Sequence, residues 1–120
     1  MPEQRYPRTA RLNELVREVL ADELELIADS RLGFVTVTGV EVTADLRQAT
    51  VYYSVFGQDD ERREETADAL RSVTGRLKAA LGRQARLKYV PNLVFREDPA
   101  VAQAARVEEI IRQLHSQRGQ

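Results

Sequence analysis

Between Ala69 and Arg96 the chain carries seven cations and no acid: Arg71, Arg76, Lys78, Arg83, Arg86, Lys88 and Arg96. A block of one sign offers charge-assisted hydrogen bonding to phosphate oxygens. Sixteen of the eighteen cations in the chain are arginine, whose planar fork suits phosphates and base faces better than an ammonium does. The formal net charge of −1 hides this asymmetry, because Asp59, Asp60, Glu61, Glu64, Glu65 and Asp68 offset the block from the segment just before it. An isolated charge run is most often a solvated face, so the block acquires meaning only from the elements that aim it.

Other chemistries find little support. The chain has no cysteine, which excludes disulfides, iron–sulfur clusters and thiolate metal sites, and no metal or cofactor is expected. His115 is the single histidine and lacks a carboxylate partner at helical spacing toward the N-terminus. Asp59 and Asp60 are better explained as helix-capping residues than as an acid–base pair, and there is no Walker-type phosphate loop. The reading is therefore not an enzyme. Residues 1–8 contain no apolar leader, and no run approaches the roughly 18 apolar residues of a membrane span. A soluble, cytoplasmic protein with no membrane partner is expected.

The elements follow from periodicity. Leu12, Leu15, Val16, Val19, Leu20, Leu24 and Ile27 predict an amphipathic helix over about 8–28, with acids on its polar flank. Alternation predicts a strand over 34–42 with a bulge at Gly39, then a second strand over 46–56. Asp59 or Asp60 caps a helix that buries Leu70, Val73, Leu77, Ala80 and Leu81 and stops at Gly82. A third strand is predicted over 85–95, at an edge because Pro91 cannot donate to a ladder. Asp98-Pro99 starts a last helix striped by Val101, Ala104, Val107, Ile111 and Leu114, with fraying expected from His115. The result is an α+β fold in the order α-β-β-α-β-α, with helices on one face of a three-stranded sheet. It forms a single domain over 1–120, with a core of about 8–114 and flexible termini. The other sheet face would present Thr36, Thr38, Thr50, Tyr52, Ser54, Arg86 and Lys88.

Gly75 lies in the middle of the basic helix, where glycine costs about 1 kcal/mol relative to alanine. At helical spacing Arg71 and Lys78 fall on one flank of the apolar stripe, and Arg76 and Arg83 on the other. A bend at Gly75 would re-aim the later cations. Arg5, Arg8 and Arg11 offer a second contact.

Several stretches taken together resemble the bacterial ribosome-binding factor A family. They are Arg8 and Arg11, Asp29-Ser-Arg-Leu-Gly33, Gly39-Val-Glu41, Asp45-Leu-Arg-Gln-Ala49-Thr-Val51-Tyr-Tyr-Ser54, Arg86-Leu-Lys-Tyr-Val-Pro91-Asn-Leu-Val-Phe95, Asp98 and Arg106-Val107. The resemblance implies a type II KH-like fold in which the G-x-x-G loop of single-strand binders, absent here, gives way to an A-x-G helix kink. Val73-Thr74-Gly75 stands at that place, with valine for alanine. It further implies a non-enzymatic assembly factor that binds the free or immature small ribosomal subunit. Its action would be on late maturation and 5′-end processing of the 16S ribosomal RNA, with a link to growth at low temperature. Partners would be the subunit, its RNA and ribosomal proteins, the protein itself being a monomer. Arg71, Arg76, Lys78, Arg83, Arg86, Lys88, Arg8 and Arg11 would contact RNA. Replacing Arg76, Lys78 and Arg83 together by Gln would then weaken binding and leave thermal stability nearly unchanged. Two alternatives stay open: a generic KH-like module for single-stranded RNA, and a protein-interaction or dimerisation module.

Overall fold

The computed structural model describes residues 7–57 and 59–118. The apolar stripe of the first helix, α1 (Pro7–Leu26), buries Val16 and Leu20 completely. Asp29 then accepts the Arg31 N–H and caps a single 3-10 turn, Ser30–Leu32, that leads into the sheet. Strands β1 (Val35–Val42) and β2 (Gln48–Val55) form an antiparallel hairpin. Its register shifts between Val37 and Gly39, so Thr38 is the extra residue of a bulge. That insertion resets the alternation and lets Val37, Val40 and Val42 all face the core beside Ala49, Val51 and Tyr53.

The acidic stretch before Ala69 and the start of the basic block form two helices, α2 (Asp60–Ser72) and α3 (Thr74–Gln84), with Asp59 as the cap of α2 through the Arg62 N–H. They carry the crossover to β3 (Asn92–Glu97), which pairs in parallel with β2 and leaves the order β1-β2-β3. Leu70, Leu77, Ala80 and Leu81 complete one core with α1 and the inner sheet face. The last helix, α4 (Pro99–Arg118), is capped by Asp98, which accepts the Ala100 N–H and, at 2.7 Å, the hydroxyl of the bulged Thr38.

Three expectations are corrected. Gly82 does not end the basic helix; α3 runs to Gln84, and Arg86 takes the left-handed position (φ 52°) that glycine usually fills after a helix. The third strand is correspondingly shorter. Residues 85–91 form a loop that buries Pro91, so Arg86 and Lys88 lie off the sheet, while Val94 and Arg96 take the open-face places beside Thr50 and Tyr52. Finally, the described part of the α4 stripe is not buried: Val107, Ile110, Ile111 and Leu114 are all about half exposed, while the side chains of Val101 and Ala104 lie outside the described residues, and the helix continues past His115 to Arg118.

Candidate nucleic-acid interface

Helices α2 and α3 separate at Val73, which leaves helical geometry at φ −101°, ψ 6°. Its N–H still reaches Ala69 O (3.1 Å), and the Ser72 and Thr74 hydroxyls donate to Ala69 O and Leu70 O, which occupies two carbonyls of the last turn of α2. No side chain caps α3, and its first backbone bond runs from Leu77 N–H to Val73 O. The amides of Thr74, Gly75 and Arg76 therefore have no partner within the helix. A helix start with three such donors favours an anion.

Gly75 is not the break itself but the second residue after it. A Cβ built there would meet nothing within 4 Å, so the missing side chain serves no internal packing. Gly75, Ala79 and Gly82 are exposed along the outer crest of α3, and cations flank that crest on both sides. Toward α1, Arg76 places Nε 2.6 Å from Glu23 Oε2; the Glu23 side chain is 6% exposed and that of Arg76 48%. Arg83 follows two turns later and is exposed. Toward β3, Lys78 Nζ donates to Asn92 Oδ1 at 3.0 Å, and Arg71 pairs with Asp68 one turn back on α2. The two predicted flanks are thus present, each tied to a different neighbour.

Burial pushes the Tyr53 hydroxyl above its ordinary pKa, with Glu97 adding and Arg71 opposing. That ring, which lines a hollow with Arg71 and Thr74, stays neutral at neutral pH.

The other predicted residues divide. Arg86 and Lys88 extend the cationic surface into the loop after α3, where Lys88 Nζ sits 5.6 Å from the Tyr89 ring centroid. Arg11 is exposed on α1, whereas the side chain of Arg8 lies outside the described residues. Asp59 is occupied as a helix cap and His115 is exposed on α4. Periodicity missed Glu23, which reads as one more acid of α1. Its in-phase position, three residues after Leu20 and four before Ile27, was the available signal. Its burial also changes the stability expected of the Arg76 substitution.

Comparison with known proteins identifies the family and the fold. The model of the family described as "Ribosome-binding factor A" matches residues 8–111. The chain is 38% identical over 115 residues to ribosome-binding factor A of Geobacter sulfurreducens, covering 95% of this chain and 97% of the relative. It is similar to the crystal structure of ribosome-binding factor A from Thermus thermophilus, with a TM-score of 0.68 and 31% identity over 74% of this chain and 94% of that one. It is also similar to a homology model of the Thermus thermophilus factor fitted into a cryo-EM map of its complex with 30S. There the TM-score is 0.60 and the identity 30%, with 71% of this chain and 89% of the other covered.

Proposed function

The chain belongs to the ribosome-binding factor A family, and from that membership we propose that it is a non-enzymatic assembly factor of the small ribosomal subunit. It binds the free or immature subunit, with the helix break at Val73 and the cation-flanked crest of α3 laid against folded ribosomal RNA. The observation that carries this reading is the conjunction at one place of a helix start with no side-chain cap, an outward Gly75 and arginines on either side. Such a surface follows phosphates by shape and charge and needs no base readout. The absence of a G-x-x-G loop disfavours extended single strands. Bound there, the protein favours completion of 16S ribosomal RNA folding and 5′-end processing in the cytoplasm. It matters most at low temperature, where misfolded RNA helices escape slowly.

Sedimentation of the protein with cell-extract ribosomes, at two salt concentrations, tests this. Salt-sensitive co-migration with free small subunits alone is the expected result. Absence from every ribosomal fraction at low salt would refute it. The exposed stripe of α4 favours one second reading, a protein-interaction module; a mass that rises with concentration, without RNA binding, would support that instead.

A further inference from the structure

We infer that Glu23 is a positioning residue for RNA binding, holding Arg76 at the helix break in the orientation that phosphate recognition requires. This deepens the function proposed above and rests on it. Glu23 is one of two polar or charged residues that the core encloses among the described residues, and the only acid of the two. A carboxylate buried beside Leu20 and Leu24 is costly unless it is paired. Its partner is not another buried group but the half-exposed guanidinium of Arg76, three residues after the break. The bond uses only Nε of Arg76. Neither terminal nitrogen enters a hydrogen bond among the described residues, and with the side chain half exposed they remain as a two-pronged donor.

The arrangement has the form of an anchored fork. Arginine carries about 2 kcal/mol of rotamer entropy, which a phosphate would otherwise have to overcome on binding. The fixed carboxylate removes that freedom beforehand and ties the guanidinium to a residue in the first turn of α3, three positions after the break at Val73. A lysine at this position could not bind Glu23 through one nitrogen and offer two others in a fixed plane.

Charge and positioning predict opposite signs for Glu23→Gln, which makes the inference testable. Deleting a negative charge this close to the phosphate site should tighten RNA binding if only the field matters. If orientation matters, binding to purified free small subunits should weaken by about tenfold even though the protein becomes more positive. Glu23→Gln, Arg76→Gln and the double variant would be compared at one salt concentration, below their melting temperatures. The double variant should bind no worse than Arg76→Gln alone, because Gln at position 23 leaves only a neutral, weaker acceptor for the same fork that Arg76→Gln removes. The Arg76 Nε–H resonance should exchange faster in Glu23→Gln than in the wild type.

Equal or tighter binding by Glu23→Gln would overturn the positioning role while leaving the proposed function standing. Full additivity of the two substitutions would do the same. A wild-type protein that does not bind small subunits at all would refute the function and this inference together. Should Glu23→Gln fold poorly, Arg76→Lys decides the question: charge is kept and the fork lost, so binding should fall toward that of Arg76→Gln. Wild-type affinity for Arg76→Lys would count against the fork.

Discussion

Single residues in this chain hold double assignments, and Arg76 is the clearest. Read from sequence it is a surface cation; in the fold it neutralises the buried Glu23. Arg76→Gln should therefore lower stability by about 1–2 kcal/mol, less than for a fully buried pair because the guanidinium is half in water. Thermal unfolding checks this, and it replaces the expectation that the triple Gln variant is thermally silent. Gly75 points the other way. Its Cβ position is open, so Gly75→Ala should raise stability by about 0.5 kcal/mol while weakening subunit binding, because the added methyl stands where the RNA backbone would approach. Arg86 sits at φ 52°, a conformation unfavourable for a side chain with a Cβ. Arg86→Gly should stabilise by about 0.5–1 kcal/mol and, in the same protein, reduce affinity for the subunit. Denaturant titration beside subunit binding separates the two effects. None of these local conflicts shows in residue types alone, since each depends on what faces the residue across the fold.

At the scale of elements, periodicity identified the helices and the hairpin because their apolar residues recur on one face over several turns. Even the bulge near Gly39 was legible, since it breaks an otherwise strict alternation. The third strand was not. Arg86, Leu87, Lys88 and Tyr89 alternate as a strand would, but Arg86 turns left-handed to end α3, and ladder pairing starts only after Pro91. A two-residue period over so short a run cannot distinguish a strand from an extended loop. The last helix shows the converse limit: an apolar stripe announces a face that can be covered, not that this fold covers it. Because the described side chains of α4 are exposed, truncation after Asp98 should leave the melting temperature of the remaining domain within a few degrees of the full chain. A loss of more than about 10 °C would mean that α4 contributes packing that its exposure does not reveal.

For the whole molecule, a net charge of −1 describes no part of its surface. The acids are concentrated on α1 and the first half of α2, and the cations on α3 and the loop that follows, so the protein presents different signs to different neighbours. Each phosphate contact removed by substitution on α3 should flatten the log–log salt dependence of subunit binding by about 0.7–0.9. Which surface meets RNA is the central question, and the absence of cysteine allows it to be asked directly. A single cysteine at Ala79, on the exposed crest between the cationic flanks, can carry a tethered iron chelate that cuts nearby RNA. Glu18→Cys, on the exposed acidic side of α1, is the matched control. The account predicts localised cleavage of small-subunit ribosomal RNA from position 79 and none from position 18. Cleavage from position 18 alone, by proteins that bind the subunit normally, would contradict it.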